Sequence, residues 1–240
     1  MTVKTERRTA TIVGALYLAG TASGVLSMVV TSGPLDTPDY LNAVASHAGQ
    51  VRFGAFLVLV MGVALAMVPV LMFPILKRQN EALAIGYVVF RGALETLTYI
   101  ATTINLLLLV VVAQQYADSG PADTSQFRSL GILLTKANDP IIISVQNIVF
   151  SLGALMFYYL LYQARLIPRW ISGWGLAAVV AYLAAGVIAV FSTNLVILLL
   201  PLAVQEMVMA IWLVVKGFNP TIASKNDRQP AAGRSVANLH

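Results

Sequence analysis

Residues Ala82–Tyr116 read ALAIGYVVFRGALETLTYIATTINLLLLVVVAQQY. The stretch holds no proline, and within it Leu106–Ala113 (LLLLVVVA) shows no apolar–polar alternation. A membrane barrel needs alternating segments of about ten residues. Lipid accepts only helices and closed barrels, because every backbone polar group must be satisfied internally. The stretch therefore reads as a membrane helix. Its roughly 52 Å of helix exceeds the bilayer core of about 30 Å. Five further runs qualify by the same length criterion: about 10–31, 51–76, 141–162, 171–191 and 195–215. The expected fold class is all-α: an integral membrane bundle of six transmembrane helices.

Composition agrees. The chain has 240 residues, of which 58% are apolar and 10% charged. Its mean hydropathy is +0.81. Soluble domains are about 25% charged, and disordered chains are richer still in charge and poorer in aliphatics; both classes are excluded. The absence of cysteine removes disulfides, thiolate metal sites and a cysteine nucleophile. The net charge of +5 reads as a topology signal rather than as affinity for nucleic acid. Lys4, Arg7, Arg8, Lys77, Arg78, Arg165, Arg169, Lys216, Lys225, Arg228 and Arg234 fall on one side of the predicted bundle; Arg52, Arg128 and Lys136 fall on the other. The first side is expected to be cytoplasmic, which puts both termini on the cytoplasmic side. The first run is too long for a signal-peptide core and lacks a small-residue cleavage site, so it reads as a retained span.

The domain plan is a cytoplasmic tail at 1–9, a membrane domain at 10–218 and a disordered cytoplasmic tail at 219–240. The connections at Lys77–Glu81, Arg165–Trp170 and Ser192–Asn194 are short, which makes the flanking spans antiparallel neighbours. The longer connections, 32–50 and 117–140, each suit a short helix. From Ser125 to Lys136, Phe127, Leu130, Leu133 and Leu134 share a side, as in a helix lying on the membrane or capping the bundle.

Charges within spans are costly and usually face a protein interior and a partner. Here they are Arg91 and Glu95 on the third span and Glu206 on the sixth. Glu206 is expected about 15 Å from either face. Arg91 lies at similar depth if the loop Lys77–Glu81 pins its helix; it snorkels at the interface if the membrane instead covers Thr96–Gln115. At 100° per residue, Arg91, Glu95, Thr98, Thr102 and Asn105 share one arc. Ser144, Asn147, Ser151, Tyr158, Tyr162 and Arg165 share another on the fourth span. The two arcs hold the helices together by hydrogen bonds, or they line a cavity. The lining residues would be Thr98, Thr102, Asn105, Asn147, Ser151 and Tyr158, with Arg52 reaching in from the second span. One arginine cannot neutralise two carboxylates, so one of these is expected to carry or share a proton.

Gly20 and Gly24 form a small-residue face suited to helix packing, within the chain or between copies of it. Pro69, Pro74 and Pro201 would free backbone carbonyls inside their spans. Tyr17-Leu18-Ala19-Gly20 resembles Tyr182-Leu183-Ala184-Ala185-Gly186, too briefly to establish a repeat. His47 and His240 are the only histidines, and no nucleophile elbow, zinc-protease helix or phosphate loop is present. No catalytic residue, cofactor or metal is expected. A non-enzymatic transport or ligand-sensing protein is the first functional expectation, a structural or accessory subunit the second, and an intramembrane enzyme the third. The small-molecule ligand is not specified by these residues.

Several strings, taken in order, carry a resemblance: Arg8 with Gly14-Ala15-Leu16-Tyr17-Leu18, Val51-Arg52-Phe53-Gly54, Arg91 with Glu95, Arg165-Leu166-Ile167-Pro168-Arg169, and Glu206 before Trp212-Leu213-Val214-Val215-Lys216-Gly217-Phe218. Over about residues 7–218 the chain resembles the bacterial six-span family catalogued as domain of unknown function 4386. The resemblance implies an integral membrane protein of a bacterial plasma membrane and supplies no activity.

Overall fold

The computed structural model describes residues 3–119, 124–191 and 196–219. The expected hairpin at Ser192–Asn194 and the tail beyond Asn219 lie outside the described residues. Those residues form helices and turns, with no strand among them. In chain order the helices are α1 (Val3–Leu35), α2 (Tyr40–Ser46), α3 (Ala48–Leu76), α4 (Glu81–Asp118), α5 (Thr124–Lys136), α6 (Ile143–Ala164), α7 (Arg169–Phe191) and α8 (Leu200–Val215). Two stretches are wound as π-helix: Val88–Leu94 inside α4, and Ala137–Ile142 leading into α6.

Five helices, α1, α3, α4, α6 and α7, are long and apolar enough to cross a membrane. The sixth apolar helix, α8, is shorter at 16 residues. The sequence reading began this span near Leu195; the helix begins at Leu200, after a short 3₁₀ turn at Val196–Leu198. Pro201 stands in its first turn, where a missing N–H costs no intrahelical bond. It therefore frees no carbonyl within a span. Pro69 and Pro74 do lie inside α3.

The long helices present large apolar side chains outward, including Met28, Phe56, Leu97 and Val180. Their polar groups turn inward instead: Ser144, Asn147, Ser151 and Gln205 are all buried. Contiguous exposed apolar surface of this kind calls for lipid rather than water.

α1 packs along α3 and on α8, and α4 lies beside α3 and α6, with α7 beyond α6. Gly20 faces Leu65 and Gly24 faces Met61, so the small-residue face is used within the chain. Gly14 admits α8 to backbone contact: a Cβ there would lie 2.6 Å from the Ala210 carbonyl oxygen. The segment read as an N-tail is helical from Val3, and Arg7 Nη2 donates to the carbonyls of Val214 and Val215 at 3.0 and 2.9 Å. At that same end Asn80 caps α4, its side chain accepting from the Leu83 N–H at 3.0 Å. Asn219 Nδ2 donates to the Arg165 carbonyl at 3.0 Å. We call this the basic end.

At the opposite, capped end, α2 and α5 close over the bundle. Gly131 of α5 lies against the Tyr40 hydroxyl and Leu41 of α2. Phe127 and Leu134 pack on the core while Leu130 and Leu133 are exposed, so the expected stripe is split between two faces. Asn105 Nδ2 donates to the Leu134 carbonyl at 3.1 Å. The far end of α4 also meets the cap: Arg128 of α5 donates to the Tyr116 hydroxyl at 3.0 Å, and Gln114 and Asp118 lie beside α2.

Candidate functional site

Arg91 stands in the π-helical turn of α4, ten residues past the helix start and so roughly 15 Å from the basic end. The turn is held from two sides. A Cβ on Gly153 of α6 would lie 3.1 Å from the Arg91 main-chain nitrogen, and one on Gly92 would lie 3.3 Å from Pro69 Cγ of α3. Only glycine at 153 lets α6 approach this closely. π-turns commonly mark functional positions in helices.

Arg91 is 3% exposed and Glu95 1% exposed, so both side chains are buried inside the bundle. Arg91 Nη1 donates to both carboxylate oxygens of Glu95, at 2.7 and 2.8 Å. The Tyr99 hydroxyl, one turn further on, donates to Glu95 Oε1 at 2.6 Å. Arg91 Nη2 lies 3.5 Å from Glu206 Oε1, and the Glu206 side chain remains 16% exposed. The two carboxylates are therefore unequal: Glu95 receives three donor contacts, whereas among the described residues Glu206 has one longer ion pair.

Aromatic rings enclose the guanidinium. Its centre lies 4.5 Å from the Phe150 ring and 5.7 Å from the Tyr17 ring, within cation–π range. The Tyr17 and Tyr87 hydroxyls meet at 3.5 Å, and Tyr87 stacks on Phe157 at 4.6 Å. Tyr158 donates to Gln205 Oε1 at 2.6 Å, and Gln205 Nε2 donates to the Ile171 carbonyl at 3.0 Å. Tyr182 donates to Asn147 Oδ1 at 3.1 Å. α1, α4, α6, α7 and α8 thus all contribute to one centre.

Of the residues read as cavity lining, Thr98, Asn147, Ser151 and Tyr158 are buried. Thr98 donates to the Glu95 carbonyl at 2.7 Å, and Ser151 to the Asn147 carbonyl at 2.6 Å. Asn105 serves the cap, and the Thr102 hydroxyl is buried without a protein partner. Arg52 does not belong to the centre: it is exposed, and its Nη2 donates to Gln114 Oε1 at 3.2 Å. Its place at the start of α3, near the capped end, puts the centre out of reach. Sequence reading missed Tyr17, Tyr87, Tyr99, Phe150, Tyr182 and Gln205. The spacing of Tyr99 from Glu95, one helical turn, was the available signal for that residue.

A cavity of about 1020 Å³ is open and lies at the capped end between α2 and the end of α4, away from Arg91, Glu95 and Glu206. Among the described residues no cluster of histidine and carboxylate groups is suited to a metal ion. No curated protein and no solved structure matches this chain. The family described as Domain of unknown function (DUF4386) matches residues 12–217, from within α1 to just past the end of α8, and the chain belongs to it.

Proposed function

We propose that this is a six-span, non-enzymatic protein of a bacterial plasma membrane, with both termini cytoplasmic. Its polar centre serves transport or sensing of a small molecule through proton exchange at Glu206. The observation that carries the reading is the inequality of the carboxylates. Arg91 and Tyr99 place three donor contacts on Glu95. Glu206 keeps only the 3.5 Å ion pair and some exposure. One guanidinium balances one carboxylate, so the second needs a proton or another cation for a buried centre to be neutral. The eleven Lys and Arg residues assigned to the basic side support the orientation.

Infrared spectroscopy of the purified protein in lipid tests this. Titration from about pH 5 to about pH 9 spans the range in which an exchanging buried carboxyl would respond. A carboxylic-acid C=O band that changes with pH and is missing in Glu206→Gln supports the reading. A band that is constant over the range, or indifferent to Glu206→Gln, overturns it. The second reading is a structural subunit. It is favoured by the complete hydrogen bonding of Glu95 and by the use of Gly14, Gly20 and Gly24 in packing within the chain.

A further inference from the structure

A groove of about 330 Å³ lies between α4 and the start of α6. Leu97 and Ala101 form its α4 wall, and Val145 and Val149 its α6 wall. Both π-wound stretches border it: Leu94 ends the turn that carries Arg91, and Ile141 and Ile142 end the turn that leads into α6. A π-turn bonds i to i+5 and sets the residues after it off the regular helical arc. From Leu94 to Ala101 the groove runs roughly 10 Å along α4, in the half of the bundle nearer the capped end.

Its occupant follows from its chemistry. Among the described lining residues only Thr98 is polar, and its hydroxyl is already given to the Glu95 carbonyl at 2.7 Å. An internal water needs about 2–4 polar partners, which this surface does not offer. An ion or a polar ligand would lose its hydration without replacement. Left empty, the groove would forfeit dispersion contacts on both walls. Its rim is apolar and exposed at Leu97, Ile141 and Val145, and it continues into the outward apolar faces of two helices long enough to cross a membrane. The groove therefore opens on hydrocarbon, and a slot parallel to the helices suits an unbranched chain.

We propose that this groove is a binding site for one acyl chain of a bilayer phospholipid, taken from the leaflet at the capped face. Its volume falls at the lower end of the range of about 300–1,000 Å³ usual for ligand sites. Thr98 stands at the edge between the groove face and the Glu95 face of α4, so the seated chain lies one side chain away from the charged centre. The site does not depend on proton exchange at Glu206.

Lipid crosslinking tests it. The full chain is reconstituted in nanodiscs of dioleoylphosphatidylglycerol doped with a phosphatidylglycerol whose unbranched acyl chain carries a diazirine at mid-length. After irradiation, mass spectrometry of the peptides locates the adducts. Val63 of α3 and Val180 of α7 are exposed and report general contact with the bilayer. Adducts on Thr98, Ala101 or Val149 are expected at a higher yield than on Val63 and Val180, although the latter two are the more exposed. Ala101→Phe and Val149→Phe fill the groove and are each expected to cut its yield about tenfold while leaving Val63 and Val180 unchanged. Groove yields no higher than those at Val63 and Val180 overturn the site, as does a yield indifferent to both variants. A change of host lipid tests the unsubstituted protein and avoids any folding defect. Diphytanoyl chains are methyl-branched and compete poorly for a narrow slot. The probe is therefore expected to label the groove severalfold more in a diphytanoyl host than in a dioleoyl host, with Val63 and Val180 unchanged. Equal groove yields in the two hosts overturn a fitted site.

Discussion

Arg91 and Glu95 are paired through both carboxylate oxygens, at 2.7 and 2.8 Å, by one guanidinium nitrogen from the same helix. The pair is buried and is reinforced by the Tyr99 hydroxyl at 2.6 Å. Arg91→Ala leaves two carboxylates without a cation. It is expected to destabilise the folded bundle by about 3–5 kcal/mol, the usual cost of breaking a buried pair from one side. Thermal unfolding in detergent measures the loss, and a change below about 1 kcal/mol, the scale of an exposed pair, would contradict the buried geometry.

The two glutamates are expected to respond differently to the same substitution. Glu95→Gln turns one of two acceptor oxygens into an NH2 donor beside Arg91 and removes the charge that three donor contacts serve, whereas Glu206→Gln removes one ion pair at 3.5 Å. Charge-assisted hydrogen bonds contribute about 1.5–3 kcal/mol each, so Glu95→Gln is the more damaging of the two. Parallel melting curves decide it, and the opposite ranking would show that Glu206 rather than Glu95 anchors Arg91.

Tyr158→Phe strips the hydroxyl that Gln205 Oε1 accepts from at 2.6 Å. The orphaned amide oxygen is buried, and the expected cost is about 1–3 kcal/mol. Adding Gln205→Leu to Tyr158→Phe removes the orphan and should recover part of that loss. A double-mutant cycle on the melting curves reads the coupling, and strict additivity would refute the contact.

Gly153→Ala puts a methyl group 3.1 Å from the Arg91 main-chain nitrogen and 3.2 Å from Phe90 Cβ. Overpacking of this kind costs about 1–3 kcal/mol. Because α6 would be pushed off the π-turn, the variant is also expected to alter the pH-dependent infrared band attributed to Glu206. An unaltered band in a folded Gly153→Ala protein would mean that the π-turn is not coupled to Glu206.

Reporter fusions at Lys77 and at Asn219 are expected to report the cytoplasm, and a fusion near Asp123 the exterior. The asymmetry of Lys and Arg motivates the assignment. An exterior signal at Asn219 with a cytoplasmic one at Lys77 would leave five crossings and remove α8 as a span.

The spans were legible because hydropathy alone locates segments that lipid will accept, and the Arg91–Glu95 pair because residues four apart on a helix are neighbours. Glu206 was legible as a carboxylate within the sixth apolar run, but not its distance from the start of the helix, which begins at Leu200 rather than Leu195. The π-turn was not, since an arc drawn at 100° per residue assumes regular winding. Arg52 was misplaced because its position at the mouth of α3 says nothing about which neighbour it meets. The aromatic enclosure was hidden by its distribution: Tyr17, Tyr87, Phe150 and Tyr182 come from four different helices. Two of these tyrosines open the look-alike strings in α1 and α7, and both end beside the centre. The excess length of α4 was visible as a conflict in the sequence, and its far end was not legible as the part that meets α2 and α5.

The shortness of α8 bears on what holds it in place. Its 16 residues give about 24 Å of helix, less than the hydrocarbon thickness, and Glu206 lies within them. Such a segment gains little by partitioning into lipid alone. Its place is instead set by α1: Gly14 leaves room for the Ala210 carbonyl, and Arg7 takes up the carbonyls of Val214 and Val215. Among the described residues the first and the eighth helix thus close on each other, and α8 is held by protein contacts that its own length in lipid would not replace.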